Sequence, residues 1–142
     1  MTTPLSKNEW KVDDRGYGAY DIFQQANLPG QFNVSELAPG AIRAFHIHNK
    51  QTDYVFCPKG NMMVILFELN ALGSPVNIQK YVIGEHNPAT LVIKPGMAHG
   101  YIALHNKPAT MCYYVDQKYD NADEGRLAWD MLGKSIWEVK NC

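Results

Sequence analysis

Gly40-Ala41-Ile42-Arg43-Ala44-Phe45-His46-Ile47-His48, followed by Asp53 and Gly60, is the stretch whose reading decides the fold. Two histidines stand one residue apart in a strand-like run. Side chains two apart on a strand share a face. Both imidazoles therefore point one way, and Phe45 and Ile47 point the other. Arg43 has the opposite parity to His46, so a bulge near Ala44 is needed if both are to face one pocket.

The same habit recurs outward in both directions. Short apolar or alternating runs end in Gly, Pro or Asn breaks. Strands are expected over 18–23, 31–37, 41–48, 54–57, 62–69, 78–83, 90–93, 100–104 and 110–116. The breaks between them include Leu28-Pro29-Gly30, Ala38-Pro39-Gly40, Pro58-Lys59-Gly60, Gly73-Ser74-Pro75, Asn87-Pro88 and Lys94-Pro95-Gly96. Proline locks φ and glycine opens positive φ, so each fixes a turn by its own means. Many short strands at regular turn spacing read as a sandwich or barrel. Only Ala122–Leu132 has helical spacing, so an alternating α/β architecture is excluded.

Composition narrows the function classes. The chain has 142 residues, 46% hydrophobic and 19% charged, which suits one ordinary globular domain. The formal net charge is -1 and no Lys or Arg run occurs, so nucleic acid and anionic membrane have no electrostatic footprint. The longest apolar run, Met62 to Phe67, is too short to cross a bilayer. Residues 1–14 are polar and lack a signal-peptide core, so the cytosol is the expected location. Cys57 and Cys112 sit in apolar runs and read as small buried hydrophobes; Cys142 has no paired spacing with either. His86 and His105 read as surface residues. Trp10, Trp129 and Trp137 read as packing or interface residues.

Further along, Pro95-Gly96-Met97-Ala98-His99 places a third histidine just after a tight turn. The combined pattern is Gly-x5-His-x-His-x4-Asp-x6-Gly, then Pro-Gly-x-x-His. It resembles the two motifs of the cupin superfamily, with Asp53 where the acid is usually Glu, and without the second motif's later Asn. The resemblance implies an all-β, jelly-roll antiparallel β-barrel. It would be a single domain over 1–142 with a short N-terminal arm and C-terminal tail. His46, His48, Asp53 and His99 would meet inside it.

A second resemblance is more specific. Asp14-Arg15-Gly16-Tyr17, Gln31-Phe32-Asn33-Val34-Ser35, Arg43-Ala44-Phe45-His46, Ile93 to Tyr101, Tyr113-Tyr114-Val115, Tyr119-Asp120, Glu124 and Trp129-Asp130 fall in order. Together they are similar to the dTDP-4-dehydrorhamnose 3,5-epimerase family over roughly residues 13–130. In that family a His removes the proton beside the sugar's ketone, and a Tyr is the acid on the opposite face. A C–H next to a carbonyl is acidified because its anion is an enolate. Neutral imidazole suits the base and phenol the acid. The resemblance implies His46 as base and Tyr113 as acid. It implies Arg15, Gln31, Asn33 and Arg43 as holders of the nucleotide diphosphate and sugar.

The departures shape the remaining expectations. The family's lysine, beside the enolate, aligns with Asp53; its usual Gln two after the catalytic His is His48; its tail Asp, which orients the His, has no counterpart. Phe-His-x-His resembles the related 3,4-ketoisomerases of dTDP-4-keto-6-deoxyglucose. His48 is therefore expected to share catalysis, orienting His46 or carrying part of its work as Asp53 also could, and Asp53 and His99 to line the substrate site. No cofactor and no tightly bound metal are expected, since Asp53 is one methylene shorter than Glu. The alternatives are a metal-dependent cupin, because three imidazoles and a carboxylate suit Zn, Fe, Ni or Mn, and a non-catalytic sugar-binding module. A homodimer is expected from the epimerase resemblance.

Overall fold

Asp53, Val55 and Cys57 are buried while Tyr54, Phe56 and Pro58 are exposed, so the strand that follows the histidine pair has one face in the core and one in solvent. Such alternation organises a computed structural model that describes residues 7–23, 26 and 28–139. Its strands are β1 (Lys11–Asp13), β2 (Gly16–Ala19), β3 (Gln31–Leu37), β4 (Ile42–His48), β5 (Asp53–Lys59), β6 (Asn61–Leu69), β7 (Pro75–Gly84), β8 (Thr90–Ile93), β9 (Met97–Ala103), β10 (Ala109–Val115) and β11 (Glu124–Arg126). All pairings named among them are antiparallel. A six-stranded sheet has the order β1-β2-β3-β10-β5-β8, and a five-stranded sheet the order β11-β4-β9-β6-β7. From β3 onward the chain passes repeatedly from one sheet to the other, as a cupin jelly roll does. Among the described residues no helix is long and apolar enough to cross a membrane.

Two cores follow from this layering. Between the sheets lie Leu37, Val55, Met62, Val64, Leu66, Ile93, Tyr101 and Met111. A second cluster, Phe45, Met63, Ile65, Phe67, Ala98 and Trp137, covers the outer face of the five-stranded sheet. β6 is thus buried on both faces from Asn61 to Phe67, which is why its apolar residues run continuously instead of alternating. The cover is the segment after β11, where Leu127, Met131, Leu132 and Ile136 pack with Trp137. Phe45 stacks on the Trp137 ring at 5.3 Å and meets Phe67 edge-on at 5.0 Å.

The helix expected over Ala122–Leu132 is not formed. A single 3-10 turn, Asn121–Asp123, leads into β11, which pairs with the edge of β4. Gly125 explains the choice: a Cβ there would lie 2.7 Å from Ile47 Cγ2, so only glycine lets the two strands close. Glycine also weakens a helix by about 1 kcal/mol against alanine. The apolar spacing of Leu127, Met131 and Leu132 is met by packing on the sheet. β1 lies outside the expected strands, and residues 20–23 of the first expected strand fall beyond β2. Cys57 is buried; Cys112 is only half buried, because its parity places it on the outer face of β10. Cys142 lies outside the described residues. His86 and His105 are exposed, Trp137 is buried, and Trp10 and Trp129 are exposed.

Candidate active site

The strand β4 supplies one wall of a cavity of about 490 Å³ between the sheets. Its pairing with β9 slips between Arg43 and His46: Arg43 lies opposite Tyr101 and His46 opposite His99. Three steps on β4 match two on β9, so a bulge gives Arg43 and His46 the same inward direction, as the sequence required. Phe45, between them, is fully buried in the outer core, and this packing holds the strand that carries His46. The turn at Pro95-Gly96, with Gly96 at φ 86°, starts β9 and brings His99 to the inner face.

His46 Nδ1 lies 2.7 Å from Glu124 Oε1. Glu124 is opposite His48 in the β11–β4 register, and its side chain reaches diagonally to His46. Burial lowers the basicity of His46, and the Glu124 carboxylate works against that by favouring the charged ring. Burial would raise the Glu124 carboxyl, but the hydrogen bond from His46 and the charge of Arg126 outweigh it and hold the carboxyl below its usual range. The pair is therefore a neutral imidazole donating Nδ1–H to a carboxylate, with Nε2 left as the basic nitrogen.

Beside this pair stand His48, Asp53 and His99. One potential ligating atom from each lies within 4.8 Å of the other two. His48 Nδ1 is 3.2 Å from the Asp123 carbonyl, and His99 Nδ1 is 3.1 Å from that of Met97. His99 Nε2 faces Asp53 Oδ2 at 3.6 Å, and Gln51 Nε2 donates to Asp53 Oδ1 at 2.6 Å. Burial pushes the basicity of His99 down against the pull of Asp53. His99 and Asp53 are only 3% and 4% exposed, so Asp53 is no surface carboxylate.

The facing wall comes from β3 and β10. Tyr113 is paired with Asn33 on one side and Val55 on the other. Burial pushes its phenol well above the usual range, so it stays protonated. Arg43 crosses between sheets, its guanidinium donating to Ser35 Oγ at 2.9 Å and to the Glu36 carbonyl at 3.3 Å. Its buried Nε has no partner among the described residues. Gln31 Nε2 donates to Asn33 Oδ1 at 2.9 Å; that oxygen also accepts from the Asp21 amide, and Gln31 Oε1 accepts from the Tyr119 amide. Arg15, paired with Asp13 at 2.5 Å, sits at the exposed rim with Lys11 and Arg126.

His46, His48, Tyr113, Arg15, Gln31, Asn33, Arg43, Asp53 and His99 all line this one cavity. What the sequence reading assigned to His48 or Asp53, the orientation of His46, is held by Glu124. Glu124 was quoted there without a role, and its placement depends on β11, which the helical spacing of that stretch concealed. Tyr101, Gln51 and Arg126 also line the cavity; Tyr101 closes the Ile93 to Tyr101 stretch but was given no role, and Gln51 and Arg126 carried no distinguishing motif.

The sequence profile described as dTDP-4-dehydrorhamnose 3,5-epimerase matches residues 6–137. The chain is 40% identical over 124 residues to the spore coat polysaccharide biosynthesis protein SpsL of Bacillus subtilis (strain 168), covering 83% of this chain and 82% of that one. It is 34% identical over 97 residues to the probable low-salt glycan biosynthesis epimerase Agl13 of Haloferax volcanii, covering 65% and 62% respectively. The crystal structure of dTDP-4-dehydrorhamnose 3,5-epimerase from Elizabethkingia anophelis superposes with a TM-score of 0.67 at 21% identity, over 99% of this chain and 86% of that one, and supports the fold. On the breadth of the profile match and the SpsL identity, this chain belongs to the dTDP-4-dehydrorhamnose 3,5-epimerase family.

Proposed function

We propose that the protein moves a proton at the carbon beside the ketone of a nucleotide-linked 4-keto-6-deoxy sugar, inverting that carbon, in the synthesis of a deoxysugar for a polysaccharide. The observation that carries the reading is the His46–Glu124 pair at 2.7 Å on one wall, with protonated Tyr113 on the other. A sugar ring held between the walls presents one face to each. His46 Nε2 takes the proton; the C–H electron pair moves toward the carbonyl oxygen and gives an enolate. The Tyr113 hydroxyl then protonates the carbon from the opposite side and the ketone re-forms. Imidazolium and phenolate return to their starting states through solvent. The guanidinium groups of Arg43 and Arg15 suit diphosphate oxygens, and the unpartnered Arg43 Nε is a buried donor that such an oxygen would satisfy. Gln31 and Asn33 complete the grip on sugar and nucleotide.

A second reading is 3,4-ketoisomerisation of the same substrate class. It is favoured by His48 standing beside His46 on one wall, where a proton lifted from one carbon can be returned to the same face.

Solvent deuterium wash-in with dTDP-4-keto-6-deoxyglucose tests both. His46→Asn is expected to cut exchange on the order of 10²–10⁴-fold, with nucleotide binding retained. Tyr113→Phe is expected to slow product formation by a similar factor while leaving exchange. Epimerised product supports the first reading, and the 3-keto isomer the second. Full exchange by His46→Asn would falsify the assignment.

A further inference from the structure

Proton transfer to His46 leaves negative charge on the ketone oxygen, and catalysis needs a donor placed where that charge develops. A ketone oxygen lies in the plane of its ring. With the two ring faces taken by His46 and Tyr113, the oxygen points along the cavity and not at either wall. In a pyranose the C4 carbon lies across the ring from the carbon that bears the diphosphate. With the diphosphate drawn to Arg15 at the exposed rim, the 4-keto oxygen faces inward, toward the floor.

Tyr101 and Met111 are buried members of the inner core and also line the cavity, so they form that floor. Of the two, only Tyr101 carries a donor. Its inward direction follows from β9, where it stands two residues after His99 on the same face, with the two rings 5.9 Å apart. Arg43, its partner in the β4–β9 register, carries its guanidinium away to Ser35 and Glu36 on β3. Tyr101 is 6% exposed, yet its hydroxyl makes no hydrogen bond among the described residues, although a buried phenol usually finds one. Burial, with the Asp53 carboxylate nearby, pushes the phenol well above its usual range, so the proton stays on the oxygen. The neighbouring groups cannot replace it. Asp53 only accepts, and His48 and His99 spend their Nδ1 protons on the Asp123 and Met97 carbonyls, which leaves an accepting Nε2 on each neutral ring.

We propose that the Tyr101 hydroxyl donates a hydrogen bond to the 4-keto oxygen of the sugar and stabilises the enolate, as a second catalytic phenol distinct from Tyr113. This rests on the proton-transfer reading above. The C–H proton goes to His46, the electron pair moves to the ketone oxygen, and Tyr101 keeps its own proton throughout.

Tyr101→Phe keeps the ring in the core and removes only the hydroxyl. In deuterium wash-in with dTDP-4-keto-6-deoxyglucose its kcat is expected to fall on the order of 10²–10³-fold, the scale of one oxyanion donor, with KM little changed. Tyr113→Phe, in contrast, leaves exchange. The hydrogen bond itself is read by infrared difference spectroscopy of the bound sugar, isotope-labelled at the ketone carbon, in the His46→Asn protein so that the ketone survives. The carbonyl band should lie at lower wavenumber than in the free ketone and move back in His46→Asn/Tyr101→Phe. Full exchange by Tyr101→Phe overturns the proposal, as does a band at the same position in both proteins. If the Phe variants do not fold by circular dichroism, the His46→Asn protein decides alone, and an unshifted ketone band there overturns it. The band requires only binding, so it stays readable if His46 is not the base. Loss of the Tyr101 assignment leaves the His46 exchange result standing, and a parent protein that binds no keto-sugar nucleotide sinks both.

Discussion

A carboxylate 2.7 Å from His46 Nδ1 decides which ring nitrogen is left for the proposed proton transfer. With Nδ1–H committed to Glu124, Nε2 is the free base, and the ring cannot rotate without losing a charge-assisted hydrogen bond. Such a bond contributes about 1.5–3 kcal/mol. Glu124→Gln keeps the shape but removes the charge. It is expected to lower kcat by roughly 10- to 100-fold at 1.4 kcal/mol per tenfold, with KM little changed; a KM effect alone would mean that Glu124 serves binding instead. The role of base is proposed from the epimerase resemblance, and the inward facing of His46 was legible in the sequence because an alternating run fixes which residues share a face. Its partner was not, because Glu124 and His46 are 78 residues apart and meet only through pairing of two strands.

At the scale of elements, β4 lies between two cores. Its inward side chains line the cavity while Phe45 is gripped behind by Phe67 and Trp137. Trp137→Ala is expected to cost about 3–5 kcal/mol in urea unfolding, and to lower turnover beyond what stability explains, because β4 then loses its backing. A loss under about 1 kcal/mol, on the scale of surface substitutions, would show that the ring is not part of the core. Most strands were readable, since Pro-Gly and Asn-Pro breaks bracket them and β-period alternation fills them. Residues 122–132 were misread for a physical reason: apolar spacing reports that one side is covered, but not whether a helix or an irregular strap presents it. β6 gave the converse signal, a continuous apolar run that only burial on both faces accounts for.

For the whole molecule, the six-stranded sheet exposes Tyr54, Phe56 and Val92 on its outer side. No segment covers them among the described residues, in contrast to the other sheet. Together with the family membership this leads us to expect a homodimer, with a mass near twice 16.0 kDa by analytical ultracentrifugation at micromolar concentration; a monomer there would refute it. The strap from Leu127 to Trp137 has a further consequence, in the order of events during synthesis. It comes last among the described segments, yet it completes the outer core, and just before it runs β11, which brings Glu124 to His46. A nascent chain that has emerged only as far as β10 holds most of the other cavity residues, but His46 has no carboxylate and β6 has one face bare. The His46–Glu124 pair therefore forms only once β11 has emerged, and until the strap has packed an apolar sheet face stays open to chaperones or to other chains.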